Sequence, residues 1–242
     1  VHEDDARRLL APYVKLRSLS RPWVICKWAQ TPDGHIALPE GDGRWISGEA
    51  ARAYVHELRS LCDGILVGIA TVVADDPLLT NRSGRGKQPV RVVLDSRLQM
   101  PQHCRLMQTA RTSPLLVATT RTGAAANPGA AEALQAAGAE VVELPGGRGG
   151  VSLEALLEEL GRRQWTRLLV EGGARVLESF IYAGLADELL AFVAPKKTRI
   201  PATVRKGLPR FDIDRVRRDL SLKKIRPLPL GDDALMRYLL TE

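Results

Sequence analysis

Short runs of strongly hydrophobic residues alternate along most of this chain with segments in which apolar residues recur at helical spacing. The alternation is typical of an α/β fold with a mostly parallel central sheet flanked by helices, because parallel strands are covered by helices on both faces. Strands are predicted at residues 23–28, 65–68, 90–95, 115–119, 141–144, 168–171 and 188–194. Helices are predicted at residues 3–17, 47–62, 130–137, 152–162 and 174–183, with Ser47 as the N-cap of the second.

The alternation ends after residue 194. Residues 220–228 and 234–240 are two extended runs joined by Leu230-Gly231-Asp232-Asp233, which predicts a C-terminal antiparallel hairpin at the sheet edge. The glycine-containing segments 41–43, 123–129 and 146–150 are expected to be irregular or flexible loops. We expect a leader helix or linker over residues 1–20 and a single domain over residues 21–242.

Composition excludes several classes of protein. The 242 residues are 45% hydrophobic, which is ample for a packed core. No apolar run approaches the roughly 20 residues of a membrane span, and no signal-peptide pattern is present, so we expect a cytoplasmic protein without membrane contact. Cys26, Cys62 and Cys104 are widely spaced, with no C-x-x-C pair, which favours buried thiols over a disulfide framework or a metal site.

The net charge of +7 raises nucleic acid as a partner. Only 5% of the residues are aromatic, and no RNA-binding motif, zinc finger or dense basic block is present, so no nucleic-acid partner is expected. A positive surface also suits an enzyme with phosphate-bearing ligands, and solubility alone would account for it as well.

The predicted strand at residues 65–68 is followed by Thr71, Asp75-Asp76-Pro77 and Arg82. The helix before it carries Arg59 at the edge of its apolar stripe, a position that could direct this side chain toward a crevice. Ligands of α/β proteins bind beyond the carboxyl ends of the strands, so these residues are candidates for a site. Two plainer interpretations are open. Asp75-Asp76-Pro77 also fits an ordinary turn, and Arg59 could lie along the helix surface with its charge in water.

A second candidate element is Glu171-Gly172-Gly173, between a predicted strand and a predicted helix. Glycines there let an anionic group approach the unpaired N–H donors of the helix. Glu171 strengthens this interpretation, because a carboxylate at the end of a buried strand is costly unless a partner is supplied. Without it, Gly172-Gly173 would indicate only a tight turn.

Several motifs occur in a fixed order. They are Arg21-Pro22-Trp23-Val24, Lys27-Trp28-Ala29, Asp33-Gly34, Arg44-Trp45-Ile46-Ser47-Gly48, Ala51-Arg52, Leu58-Arg59, Ile65-Leu66-Val67-Gly68, Thr71-Val72, Ala74-Asp75-Asp76-Pro77-Leu78-Leu79-Thr80, Arg82, Val170-Glu171-Gly172-Gly173 and Gly184-Leu185-Ala186-Asp187-Glu188. This series closely resembles the reductase domain of bacterial riboflavin-biosynthesis deaminase/reductases. The resemblance implies a dihydrofolate-reductase-like fold, a homodimer, and NADPH-dependent reduction of 5-amino-6-(5-phosphoribosylamino)uracil to the ribitylamino compound.

The resemblance also implies roles for individual residues. The NADPH site would be formed by Ala29, Trp45, Thr71, Asp75, Ser96, Gly173, Ala174, Arg175, Val176, Leu177, Glu178 and Ser179. The substrate would contact Arg59, Leu79, Arg82 and Glu171, with the two arginines suited to a phosphate and Glu171 to the N–H groups of a pyrimidine. Lys27 and Asp75 are the candidate catalytic residues, and Arg97 or Arg121 could meet the 2′-phosphate of NADPH. Taken singly, Trp45 could be a core aromatic and Thr71 a helix cap.

The sequence departs from the family at two places. Gly43 stands where the family has a substrate-contacting Ser, and basic residues occupy the segment 196–206, where the family has a glycine-rich loop. No H-x-E with P-C-x-x-C occurs, so deamination is not expected of this chain, and whether a deaminase domain precedes Val1 is left open. Two alternatives are kept: reduction of the non-deaminated diaminopyrimidine, and a non-catalytic nucleotide- or RNA-binding module.

Overall fold

The structure is a computed structural model that describes residues 3–38, 45–195, 208–223 and 225–240. The strands are β1 (Trp23–Gln30), β2 (Gly64–Gly68), β3 (Val90–Leu94), β4 (Leu115–Thr120), β5 (Glu140–Leu144), β6 (Gly146–Gly147), β7 (Gly150–Val151), β8 (Arg167–Val170), β9 (Glu188–Val193), β10 (Leu228–Leu230) and β11 (Asp233–Leu239). The helices are α1 (Glu3–Leu19), α2 (Glu49–Ser60), α3 (Ile69–Asp75), α4 (Arg105–Gln108), α5 (Arg121–Ala126), α6 (Pro128–Ala136), α7 (Leu153–Arg162), α8 (Ala174–Tyr182) and α9 (Ile213–Asp219). The predicted strand–helix alternation is confirmed.

Nine strands form one sheet in the order β10-β11-β9-β1-β8-β2-β3-β4-β5. The pairs from β9 to β5 are parallel, and β11 pairs antiparallel with both β9 and β10. The expected α/β fold of dihydrofolate-reductase type, with a mostly parallel sheet and a C-terminal antiparallel hairpin, is therefore the fold observed. Because β8 lies between β1 and β2, the carboxyl ends of three central strands lie side by side.

Side chains of β1 alternate between two hydrophobic layers, one on each face of the sheet. Trp23 and Ile25 pack on the face that also receives Val55 of α2, whereas Val24 and Cys26 pack on the other face with helices α7, α8 and α9. Strands buried on both faces explain why the hydrophobic runs of the sequence are nearly continuous. The three cysteines are buried and free, as expected.

The first helix is attached to the sheet by a buried ion pair. Lys15 Nζ donates to Asp187 Oδ2 at 2.5 Å, and the same carboxylate oxygen accepts from the backbone N–H of Val24. Leu16 is buried, while Leu9, Tyr13 and other apolar residues on the opposite side of α1 are exposed. Within the described residues, no helix combines the length and hydrophobicity of a membrane span.

Three local predictions about loops and caps were wrong. Residues 123–129 are not a loop, because α5 is capped by Thr120, whose hydroxyl accepts from the N–H of Gly123 at 2.9 Å, and Pro128 begins α6. Residues 146–150 contribute to the small β6–β7 hairpin. The N-cap of α2 is Gly48 rather than Ser47, and its N–H donates to the Asp233 carboxylate of the C-terminal hairpin at 2.7 Å.

The C-terminal prediction was partly wrong. The hairpin is present, but its first strand begins at Leu228, and the described residues 220–223 and 225–227 are not part of a strand. Helix α9 precedes them and was not predicted; its N-cap is Asp212, whose carboxylate accepts from the N–H of Asp214. The predictions for Gly43 and for the basic segment 196–206 lie outside the described residues, as does the predicted irregular segment 41–43.

Candidate active site

A cavity of about 770 Å³ opens at the carboxyl ends of β1, β8 and β2, between α2 and the segment that follows α3. Such a crevice is where an open α/β sheet binds its ligands. The structure brings ten of the predicted site residues to its wall. They are Lys27, Ala29, Trp45, Arg59, Thr71, Asp75, Leu79, Arg82, Glu171 and Gly173.

Glu171 is paired with two cations in this cavity. Arg59 binds it with two parallel hydrogen bonds, from Nε to Oε1 at 2.7 Å and from Nη2 to Oε2 at 3.0 Å. Lys27 Nζ lies 3.4 Å from Oε2 and 5.9 Å from the ring centroid of Phe192. The side chains of Glu171, Arg59 and Lys27 are 8%, 13% and 16% exposed, so these three residues, which we call the triad, are almost withdrawn from water.

Three elements place the triad. Arg59 projects from the last turn of α2, Lys27 lies within β1 rather than at its end, and Glu171 follows β8 directly. The backbone N–H of Glu171 donates to Leu66 of β2 at 2.9 Å, which continues the sheet pairing past the last strand residue. The interpretation of Arg59 as a surface residue with its charge in water is therefore wrong.

The pairing determines the charge of Glu171. Burial by itself would raise the pKa of this carboxyl group, but the charges of Arg59 and Lys27 and their hydrogen bonds outweigh burial and lower the pKa to about 2. Burial by itself would lower the pKa of Arg59, and Glu171 raises it above its ordinary value. The negative charge of Glu171 is therefore matched by the positive charge of Arg59, and the side-chain nitrogen of Lys27 lies beside this pair.

The loop after α3 has an unusual backbone. Asp76 and Leu79 adopt positive φ angles of 39° and 54°, which are rare for residues with side chains and are commonly found at functional sites. The carbonyl of Thr80 accepts from Nη1 of Arg59 at 3.0 Å, so the triad also fixes this loop. Leu79 is 5% exposed and presents its side chain to the cavity wall.

The two adjacent aspartates have different roles. Asp76 is the C-cap of α3, and its Oδ1 accepts from the N–H of Arg105 at 2.7 Å, so it is structural. Asp75, the last residue of α3, lines the cavity together with Thr71 of the same helix. Asp76 is therefore structural, but as the C-cap of a helix and not as part of the ordinary turn that was the plainer interpretation, while Asp75 remains a candidate site residue. The possibility that Thr71 caps the helix is wrong, since Gly68 is the N-cap.

The Gly172-Gly173 corner forms the wall of the cavity beside Glu171. A side chain at either Gly172 or Gly68 would meet Val176 within 2.8 Å, so the close approach of α8 to the strands requires glycine at both positions. Within the described part of the chain, no side chain caps α8, and Gly173 precedes its first turn. The start of α8 can therefore offer backbone N–H donors to an anionic group.

Several predicted cofactor residues do not line this cavity. Ser96, just beyond β3, accepts from the N–H of Val151 at 3.1 Å through its hydroxyl. Leu177 is fully buried in the core, Arg97 is exposed on the segment after β3, and Arg121 is exposed at the first position of α5. The remaining members of this set lie along α8. They are Ala174, Arg175, Val176, Glu178 and Ser179.

Trp45 is 50% exposed and lines the cavity, so the alternative that it is a core aromatic is wrong. The guanidinium carbon of Arg52 lies 5.9 Å from the centroid of its ring, which favours a cation–π contact.

Sequence reasoning missed Arg52, His56 and Arg105, which also line the cavity. Arg52 and His56 lie seven and three residues before Arg59 on α2, so helical spacing could have placed them on the same side of that helix. Nothing local in the sequence indicated Arg105. Among the described residues, no group of three His, Cys, Asp or Glu side chains is placed to hold a metal ion.

Comparison with known proteins gives a consistent result. A family model described as the RibD C-terminal domain matches residues 22–198. The chain is 34% identical over 241 residues to the riboflavin biosynthesis protein RibD of Aquifex aeolicus, covering 98% of this chain and 63% of that protein. It is 37% identical over 223 residues to a 2,5-diamino-6-ribosylamino-4(3H)-pyrimidinone 5′-phosphate reductase of Methanothermobacter thermautotrophicus, covering 90% of this chain and 98% of that protein.

A solved structure from Thermotoga maritima is also similar. It is described as a diaminohydroxyphosphoribosylaminopyrimidine deaminase/5-amino-6-(5-phosphoribosylamino)uracil reductase. The TM-score is 0.73 at 27% identity, covering 98% of this chain and 62% of that one. The chain thus spans about half to two thirds of the length of the RibD relatives it matches.

Proposed function

Because the chain belongs to the RibD C-terminal domain family, we propose that it is an NADPH-dependent reductase of riboflavin biosynthesis. The proposed reaction converts 5-amino-6-(5-phosphoribosylamino)uracil to 5-amino-6-(5-phosphoribitylamino)uracil. The observation that carries this proposal is the Arg59–Glu171–Lys27 triad in a crevice at the carboxyl ends of the central strands. The triad combines a fixed carboxylate, which can accept hydrogen bonds from a polar ring, with an amine that can donate a proton.

The cavity has features that suit NADPH. The uncapped start of α8 behind Gly172-Gly173 provides donors for a phosphate, and Trp45 provides an aromatic surface for a ring. Thr71 and Asp75 add polar groups on the α3 side. When bound, NADPH would supply the hydride that reduces C1′ of the sugar.

Glu171 is suited to hold the pyrimidine ring. A carboxylate has about four lone-pair positions, and the contacts with Arg59 and Lys27 use three of them. The remaining position can accept an N–H of the ring, and its low pKa keeps it ionised for that purpose. Arg59 acts through Glu171, because its bidentate contact fixes the plane of the carboxylate.

Lys27 is suited to deliver a proton to the sugar. When the furanose ring opens, the lone pair of the glycosidic nitrogen forms a C1′=N bond, the C1′–O4′ bond breaks, and O4′ takes a proton from the Lys27 ammonium. Hydride addition at C1′ then gives the ribitylamine, and solvent returns the proton to Lys27. A general acid placed in this way contributes about 10²–10⁴-fold to a rate.

The decisive test mixes the purified chain with NADPH and the aminouracil phosphate and follows absorbance of the reduced cofactor. The proposal expects oxidation of NADPH that depends on the pyrimidine substrate. No oxidation under varied conditions, combined with salt-sensitive RNA binding and no NADPH binding, would instead support the non-catalytic module.

A second candidate reaction is reduction of the non-deaminated diaminopyrimidine phosphate. The resemblance to the Methanothermobacter reductase, of which the chain covers 98%, is the observation that favours it. The two substrates differ at the ring edge that Glu171 would read. Turnover of both substrates by the same preparation decides between them, and we expect higher kcat/KM with the uracil.

Preference for NADPH over NADH is expected from Arg97 or Arg121. Both are exposed beyond neighbouring strands, where a 2′-phosphate could reach them. Replacement of either by Ala should raise the KM for NADPH more than the KM for NADH. Equal changes in both constants would refute that assignment.

Domain organisation and assembly are part of the proposal. We expect residues 21–242 to form the reductase domain, residues 1–20 to form a leader, and the protein to be a homodimer. Sedimentation equilibrium measures the assembly directly, and a monomer at micromolar concentration would contradict the expectation.

A further inference from the structure

Two irregular segments of the cavity wall are supported by a part of the chain that lies outside the family match. Residues 36–38, which follow β1, and residues 45–47, which precede α2, line the cavity but belong to no helix or strand. We call them the first and the second wall segment. Both are held by contacts with residues after 208, whereas the family model matches residues 22–198. Irregular segments depend on such contacts, because they have no helical or strand pairing of their own.

Gln30, the last residue of β1, joins the first wall segment to helix α9. Gln30 is 1% exposed, and its Oε1 accepts from Nε1 of Trp28 and from the backbone N–H of Ile213, both at 2.9 Å. Its Nε2 donates to Oδ1 of Asp212, the N-cap of α9, at 3.3 Å. Trp28 lines the cavity, and its ring packs edge-on against the ring of Phe211 with 4.9 Å between the centroids. These contacts fix the end of β1 against the start of α9.

The backbone after β1 also pairs with the segment before α9. The N–H of Phe211 donates to the carbonyl of Gly34 at 2.9 Å, and the N–H of Ile36 donates to the carbonyl of Pro209 at 3.0 Å. Gly34 has a φ of 82°, and a Cβ there would lie 2.7 Å from Cβ of Asp212, so this close approach requires glycine. The first wall segment is therefore held from its first residue onward.

Asp233 supports the second wall segment. This first residue of β11 is 3% exposed, and its Oδ2 accepts from the backbone N–H of Gly48 at 2.7 Å. Gly48 directly follows the second wall segment and is the N-cap of α2, and a glycine has no side chain with which to cap a helix. A carboxylate at this end of a helix is favoured by the helix dipole. Asp233 therefore fixes the start of the helix whose last turn carries Arg59.

Both supports belong to one packed unit. Strand β11 pairs with β9, and β9 pairs with β1, which carries Lys27. Val216 of α9 and Tyr238 of β11 are buried in the same hydrophobic layer. A Cβ at Gly231, in the turn between β10 and β11, would lie 3.1 Å from Cβ of Ala50, so this turn lies close to the first turn of α2. Both supports are therefore anchored to the sheet that carries Lys27.

We propose that residues 209–213 and the β10–β11 hairpin, together called the brace, set the positions of both wall segments, and that Gln30 and Asp233 are positioning residues. The inference rests on the proposed function for the identity of the ligands. Neither Gln30 nor Asp233 lines the cavity, so they act through the residues that do. Two bound molecules react efficiently only when both are held within about 0.5 Å of the productive geometry. Loss of either support therefore slows the reaction.

The first test measures the wall segments without a ligand. Hydrogen–deuterium exchange is followed by mass spectrometry in the wild type, in Gln30→Met and in Asp233→Ala. Loss of the buried hydrogen bonds should speed exchange about tenfold, at residues 33–38 in Gln30→Met and at residues 46–52 in Asp233→Ala. Exchange in β4 and β5, at the far edge of the sheet, is the internal control and should not change. Unchanged exchange at both wall segments overturns the proposal.

A pair of variants tests the Gln30 contact while keeping polar side chains in place. Gln30→Glu puts a second carboxylate beside Asp212 and should speed exchange at residues 33–38 as Gln30→Met does. The double variant Gln30→Glu/Asp212→Asn exchanges the donor and the acceptor, because the new amide can donate to the new carboxylate. It should restore exchange to within about twofold of the wild type. Equal exchange in the single and double variants overturns the role of this contact.

The second test uses turnover with NADPH and the aminouracil phosphate. Asp233→Ala should lower kcat/KM by about 10- to 100-fold, since a misplacement of about 1 Å can cost about 10²-fold even when it arises far from the reacting atoms. Asp233→Asn keeps an oxygen that can accept from Gly48 and should recover most of the loss.

Leu134→Ala, a substitution of a buried residue in α6, controls for a general loss of stability and should keep kcat/KM near the wild-type value. Wild-type kcat/KM in folded Asp233→Ala, or the same loss in Leu134→Ala, overturns the positioning role. Absence of turnover in the wild type refutes the proposed function instead and leaves the exchange test to decide whether the brace positions the wall segments.

Discussion

The triad and the cationic recess, which is formed by Arg52, His56 and Arg82, each include residues of α2 and line the same cavity, yet their charges are arranged in opposite ways. In the triad, Arg59 and Glu171 are 13% and 8% exposed, and each has its counter-charge within 3.0 Å. In the recess, Arg82 is exposed, and its guanidinium lies 3.2–3.3 Å from Nε2 of His56. Where charge is buried, the chain supplies the counter-ion itself. In the recess, which water can reach, Arg52 and Arg82 have no carboxylate partner among the described residues.

Breaking the triad should have the largest effect. Arg59→Leu leaves the buried Glu171 carboxylate with one cation at 3.4 Å and should reduce the free energy of unfolding by about 3–5 kcal/mol. Urea unfolding measures this. The double variant Arg59→Leu/Glu171→Leu removes both charges and should recover most of the loss, although both variants should be inactive. Equal stability of the single and double variants would show that the ion pair has no stability role.

Acid should weaken the triad without any substitution. The folded-state pKa of Glu171 is lowered to about 2, below the ordinary value for a glutamate. A depressed carboxyl pKa contributes stability that is fully present above the unfolded-state pKa, about 4.3, and is lost as pH falls through the folded-state pKa. The contribution is about 3 kcal/mol. The wild type should therefore lose more stability between pH 5 and pH 2 than the Arg59→Leu/Glu171→Leu variant, and parallel pH curves would contradict this.

The Lys27→Met variant should remove the proposed proton donor and leave the Arg59–Glu171 ion pair in place. Arg59 remains on Glu171 in this variant, so the fold should tolerate it better than Arg59→Leu. Loss of the proton donor should lower kcat by about 10²-fold or more while NADPH still binds. Steady-state kinetics and a fluorescence titration with NADPH measure the two quantities. A proportionate loss of NADPH binding would place Lys27 in the cofactor site instead.

The two regions also differ in how far the sequence predicts them. The strand–helix alternation predicted the sheet, and Glu171-Gly172-Gly173 was correctly placed at a strand end, because both depend on local pattern. The contact between Arg59 and Glu171 joins residues 112 positions apart, so no local spacing could show it. The direction of the Arg59 side chain was suggested by its place at the edge of the apolar stripe, but its partner was not.

The short elements were the least predictable. Helices α3, α5 and α9 are six or seven residues long, too short for a helical repeat to stand out from a loop. Helix α3 matters for the candidate site, because it separates Asp75, which lines the cavity, from Asp76, which caps the helix. His56 was missed because a lone histidine on an amphipathic helix carries no pattern of its own. Only the loop of Arg82, brought back over α2 by the fold, gives it a partner.

Replacing Arg82 should have the smallest effect and the most selective one. Its side chain is exposed and supports no described carboxylate, so Arg82→Ala should leave the unfolding free energy within about 0.5 kcal/mol of the wild type. The KM for phosphorylated substrate should still rise by about tenfold, since a guanidinium–phosphate contact is lost. Arg82→Lys keeps the positive charge but not the planar guanidinium, so its KM for phosphorylated substrate should lie between those of the wild type and Arg82→Ala. Calorimetry and initial rates on the same preparations measure both quantities. A large loss of stability would mean that Arg82 belongs with the buried triad and that the contrast between the two regions is wrong.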